Sequence, residues 1–184
     1  LCTEVFGHRK LFRDRRAAIA HLLIFYGFLA LFVGTCLVFV HDRLVPFLSG
    51  ATYLVFSLAL DLAGLAYLAG LGLALHRRYV AREARLEPGR DWSLLLATLA
   101  AIGITGFALE GARIAVAMPA FEVWSPVGYG LAAAFRLITA DPGVWKSLHR
   151  ALWGIHAATV FVFFALLVAT PLRHMFAGPV NIGN

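Results

Sequence analysis

The residues best suited to chemistry in this chain are histidines, and three of them sit on one apolar segment and its exit: His149, His156 and His174. His156 and His174 are 18 residues apart. That is five turns at about 3.6 residues per turn, so both imidazoles face one side of a helix, ~27 Å apart along its axis. His149 lies seven residues before His156 and falls on nearly the same side. Imidazole is the usual axial ligand of electron-transfer haem iron. A membrane helix with imidazoles on one face near its two ends is therefore expected to form one wall of a haem b site.

The segment that carries them is apolar over about 148–172, and crossing a bilayer core takes roughly 20 residues. Three more such segments precede it, at about 17–40, 52–75 and 92–118. Of the 184 residues, 61% are hydrophobic and 14% charged, against about 25% charged in an ordinary soluble domain. The expected fold is all-α, an integral membrane helical bundle with four transmembrane helices. Residues 1–184 are read as a single haem b membrane domain. Cys2 and Cys36 are the two cysteines, too few for a cysteine-built iron–sulfur or zinc site. Any iron–sulfur partner must lie elsewhere.

Lys and Arg set the orientation, because cytoplasmic loops carry an excess of them. Arg9, Lys10, Arg13, Arg15 and Arg16 flank the first span, and Arg77, Arg78, Arg82, Arg85 and Arg90 lie between the second and third. The connection after the first span carries Arg43, and the one after the third spreads Arg136, Lys146 and Arg150 over a longer stretch. This bias places both chain ends in the cytoplasm, and the chain is expected to be a multi-pass protein of the inner membrane. The first basic cluster reads as a membrane flank rather than a nucleic-acid site. Residues 119–147 are expected to form a loop at the interface, anchored by Phe121, Trp124, Tyr129, Phe135 and Trp145.

Ionisable residues inside the spans are costly in hydrocarbon unless paired or functional. His21 near the inner end of the first span and His174 near the inner end of the fourth come to one depth on antiparallel helices, a geometry that fits a bis-histidine haem. Asp61, Glu110 and Arg113 fall in the outer half with His156. Glu110 and Arg113 stand three apart on one helix, where opposite charges pair. Their cluster reads either as an ion pair fixing helix register or as a site for a quinone head, a haem propionate or a proton. Ala63, Ala66, Gly70 and Ala74 of the second span read as positions of close helix packing. His41 stands 20 residues after His21, turned to roughly the opposite side of the helix, and is a poor ligand candidate.

These residues resemble the cytochrome b (gamma) subunit of respiratory nitrate reductase: His21 in the first span, His156 and His174 eighteen apart in the last, and Leu172, Arg173, His174, Met175, Phe176 and Ala177 after it. The wording is more similar to the related membrane domain fused to heterodisulfide-reductase-like iron–sulfur proteins of the electron-transfer-flavoprotein:quinone oxidoreductase type. The stretches that carry this likeness are 20–28, 106–113, 125–128, 149–156 and 174–181. The resemblance implies that His21 and His174 ligate the haem nearest the cytoplasm and that His156 is one ligand of an outer haem. It also implies a further span before the first, so that the chain is expected to be a piece of a longer one. Nitrate reductase relatives carry a second histidine ten residues after the first; this chain has Leu31 there. The outer haem is then absent, five-coordinate or held by another residue, which leaves His149 free for quinone or propionate contacts.

The expected function is electron transfer, through one or two haem b groups, between a membrane quinone, menaquinone or another, and a cytoplasmic iron–sulfur protein or domain. That partner is expected on the same longer chain or beside it, with electron-transfer flavoprotein as a further partner. Two other readings remain open. A proton-coupled transporter predicts polar residues along a path, and a haem-free membrane anchor leaves the matched histidines unexplained.

Overall fold

The computed structural model describes residues 15–82 and 90–169. Helix α1 spans Arg15–Arg43. Helix α2 spans Gly50–Leu75 and continues into a π-helical turn at His76–Val80. Helix α3 spans Arg90–Ala115, a 3₁₀ turn spans Ala120–Trp124, α4 spans Pro126–Arg136 and α5 spans Pro142–Ala169. Four of these segments, Arg15–Arg43, Gly50–Val80, Trp92–Ala115 and Pro142–Val168, are long and apolar enough to cross a membrane. The fold is an all-helical, multi-pass membrane bundle. Its outer faces are apolar, with Val55 65%, Phe161 74% and Val168 76% exposed, the arrangement expected where the surrounding solvent is hydrocarbon.

The bundle is built from two helix pairs. α1 lies along α2, and α3 lies along both α5 and α4. Glycines let the first pair approach. A Cβ at Gly70 would stand 2.9 Å from the Ile24 backbone nitrogen and 3.0 Å from the Ala20 carbonyl, and one at Gly27 3.0 Å from the Ala63 carbonyl. Without a hydrophobic drive between helices in lipid, this close backbone contact is what holds them, as expected for Ala63 and Gly70. The two pairs join around Tyr67 and Leu71 of α2, Leu95, Leu99 and Ile102 of α3, and Phe163 and Leu167 of α5. Ile24, Phe28 and Leu31 of α1 pack onto this core. The Tyr67 hydroxyl, fully buried, donates to the Leu99 carbonyl at 2.7 Å.

The stretch 119–147 departs from the expected interface loop. Pro126 stands at the first turn of α4, where its missing N–H costs nothing and its φ suits a helix. α4 turns Gly128 and Ala132 into the protein. Trp145 is not an interfacial anchor: it is 4% exposed, stacks on Phe135 at 5.2 Å and donates its indole N–H to the Thr139 carbonyl at 3.0 Å. Phe121 and Trp124 are exposed. α5 starts earlier than the apolar run suggests, because the Asp141 carboxylate accepts the Gly143 N–H at 2.8 Å and caps the helix.

Candidate functional site

The α5 histidines lie against α3. His149 Nδ1 is 3.2 Å from the Leu109 carbonyl and His156 Nδ1 is 2.9 Å from the Thr105 hydroxyl. A carbonyl only accepts, so His149 donates its Nδ1–H. The His156 ring rests beside Gly106, its Cε1 3.5 Å from where a Cβ would stand. A ring tied through Nδ1 keeps Nε2 for a second partner, and this is how metal-binding histidines are commonly held.

His21 lies on the α1 face that also carries Ile24 and Phe28, three and seven residues on, both packed on the core. Its ring stacks near Phe25, centroids 6.2 Å apart. Phe28 meets Phe163 of α5 at 5.1 Å. Counting seven residues back along α1 and seven forward along antiparallel α5 brings His21 level with the end of α5 as described. His174 lies outside the described residues. Leu31, at the position of the missing histidine, packs on the apolar core. His41 serves the backbone instead. Its Nδ1 accepts the N–H groups of Phe47 at 2.9 Å and Leu48 at 3.0 Å and closes the turn after α1.

A second cluster lies at the C-terminal end of α3, just beyond Leu109. Arg113 donates to both Glu110 oxygens, at 2.9 and 2.7 Å, to Glu122 Oε1 at 2.7 Å and to the Tyr53 hydroxyl at 3.1 Å. Tyr53 in turn donates to Glu122 Oε1 at 2.8 Å. Glu122 is 1% exposed, and its Oε2 has no hydrogen-bond partner. Glu110 and Arg113 thus pair as expected. Asp61 is brought close by α4 but engaged separately: its carboxylate accepts the Val127 N–H at 2.8 Å, the Ser125 hydroxyl at 3.3 Å and the Gly128 N–H at 3.4 Å. It caps α4 from another helix, where a negative charge is favoured. Gly128 separates the two groups, and a Cβ there would stand 2.8 Å from Glu110 Cγ. Tyr53 and Glu122 were not among the sequence candidates. No local pattern marks either: they enter through contacts with Arg113, Glu122 nine and Tyr53 60 residues away in sequence.

Among the described residues no group of three or more His, Cys, Asp or Glu side chains could hold a metal ion. Axial haem ligation asks for one or two imidazoles rather than such a group. The donor set fits that need at His156, whose Nδ1 is already engaged, and His21 lies on a core-facing side of α1.

Fold and site together define a multi-pass helical membrane domain with anchored imidazoles in its last span and an Arg–Glu–Tyr cluster gathered around the buried Glu122. The chain is 33% identical over 190 residues to the EtfAB:quinone oxidoreductase of Syntrophomonas wolfei, covering 96% of this chain and 26% of that protein. It is 26% identical over 182 residues to the probable iron-sulfur-binding oxidoreductase FadF of Bacillus subtilis, covering 97% of this chain and 25% of that protein. The chain therefore spans about a quarter of the length of the curated relatives it matches. No protein-family model matches it. No solved structure matches it either.

Proposed function

We propose that this chain is the membrane cytochrome b domain of a longer oxidoreductase, carrying electrons between a membrane quinone and a cytoplasmic iron–sulfur partner. The observation that carries this reading is the pair of α5 imidazoles, His149 and His156, each tied to α3 through Nδ1. A half-buried ring held in that way is poised to ligate through Nε2. The relatives named for a quinone oxidoreductase and for iron–sulfur binding support the same reading. They also support a soluble iron–sulfur part elsewhere on a longer chain, with electron-transfer flavoprotein as the further partner.

His21 and His174 would hold the haem nearest the cytoplasm, and His156 one face of an outer haem. When bound, haem b supplies one-electron transfer; the protein sets its ligation and surroundings. Quinone reduction takes up two protons with two electrons, and oxidation of the quinol releases them. Tyr53, Glu110, Arg113 and Glu122 form the hydrogen-bonded group that can exchange these protons and hold a quinone oxygen, with Arg113 as its donor. Asp61 supports that group by fixing α4. His149, near the same end, can contact the quinone head or a propionate. Both directions of electron flow use these same residues.

The test is a reduced-minus-oxidised visible spectrum with haem quantified per chain, for the native protein and for His21→Ala and His156→Ala. We expect low-spin b-type bands in the native protein and the loss of one haem's share in each variant. Haem-free native protein would leave the anchor reading in its place.

A further inference from the structure

The bond between His156 and Thr105 admits two proton arrangements, and the surroundings of Thr105 choose between them. Its hydroxyl carries one proton. Thr105 Oγ1 stands 2.6 Å from the Ala101 carbonyl and 3.3 Å from the Ile102 carbonyl on its own helix. Neither carbonyl can donate, so the short contact to Ala101 takes the hydroxyl proton. The oxygen then faces His156 Nδ1, 2.9 Å away, with its lone pairs alone. Nδ1 must supply the hydrogen, and in the neutral ring Nε2 is left without one.

We infer that Thr105 is the positioning residue that sets His156 as the Nδ1–H tautomer and presents Nε2 as a ligand for haem iron. His149 gives an internal comparison: its Nδ1 meets the Leu109 carbonyl, an acceptor that fixes the same tautomer without any choice. Two rings seven residues apart on α5 are thus oriented alike by α3, one by a carbonyl and one by a hydroxyl whose proton is spent elsewhere. An acceptor at Nδ1–H also raises the basicity of Nε2 and favours the ferric state of an iron bound there. The inference rests on the reading of His156 as an axial ligand.

The test uses the full-length protein with its haem complement. Thr105→Val removes the acceptor at nearly constant volume, Thr105→Ser retains it, and His156→Ala is the reference. Haem per chain, the optical midpoint potential and the low-spin electron paramagnetic resonance signals are read for each. We expect Thr105→Val to raise the midpoint of the haem that His156→Ala removes and to weaken haem retention by roughly ten- to hundredfold, with Thr105→Ser close to native in both. If the valine variant does not accumulate, Thr105→Ala removes the same acceptor without a branched side chain and is read in its place. A native midpoint and haem content in the acceptor-free variant overturns the assignment, as does a serine variant that shifts as far as valine. Full native haem in His156→Ala overturns the ligand reading beneath it and is distinguishable from both.

Discussion

Arg113 joins four oxygen atoms from three side chains, and its partners differ in how they would survive without it. Glu110 is 32% exposed at its side chain and can be rehydrated, whereas Glu122 is 1% exposed and cannot. Removing one partner of a buried pair costs about 3–5 kcal/mol because a charge is left uncompensated. Arg113 is itself 40% exposed at its side chain, so we expect Arg113→Ala to lower stability by ~3 kcal/mol, the low end of that range. Glu122→Gln keeps an acceptor for Tyr53 and Arg113 and removes the buried charge, so it should cost less than half as much. The double variant should be more stable than the two single costs together imply. Equilibrium unfolding in detergent measures all three. Additive costs would mean that Glu122 is not the charge Arg113 neutralises.

At the scale of helices, the α1–α2 contact depends on small residues where backbones meet. The atoms facing Gly70 are the Leu23 Cβ, the Ile24 nitrogen and the Ala20 carbonyl, all fixed to the α1 backbone and unable to turn aside. Gly70→Leu should therefore lower stability by about 1–3 kcal/mol or more and separate α1 from α2. Gly72 has open space on the same helix, and Gly72→Leu should leave stability nearly unchanged, so thermal unfolding of the pair isolates the packing effect. The long helices were legible in the sequence because crossing a bilayer demands a long apolar run, and the close packing was legible in Ala63 and Gly70. α4 was not, because Pro126, Gly128 and Gly130 read as loop residues in isolation. Pro126 suits a first turn, and Gly128 is small because Glu110 and Ile114 crowd it. The same failure hid Glu122, whose burial follows only from the way the 3₁₀ turn folds back on Tyr53 and Arg113. The facing that His156 shares with His149 was visible in their seven-residue spacing, but its Thr105 partner lies 51 residues away and no local pattern connects them.

For the whole molecule, the distribution of charge orients the proposed electron path. The π-helical turn His76–Val80 ends α2 with Arg77 and Arg78, and the Tyr79 hydroxyl donates to Ser93 Oγ at 2.8 Å, which ties that end to the start of α3. His21 near the start of α1 and the end of α5 share this side of the bundle, while the α1–α2 turn and the α4 region with Arg113 lie at the opposite side. If the basic side is cytoplasmic, His21 faces an iron–sulfur partner in the cytoplasm and the Arg113 cluster lies near the outer surface. A phosphatase reporter that is active only after export should then be active when fused after Ser49 and inactive when fused after Arg82. A fluorescent reporter that matures only in the cytoplasm should give the reverse. The opposite pattern would put Arg113 and Glu122 on the cytoplasmic side, so that quinone protons were exchanged there and His21 faced away from the partner. The proposed ligand residues could still hold haem, but the proposed route between quinone and iron–sulfur partner would have to run the other way across the bundle.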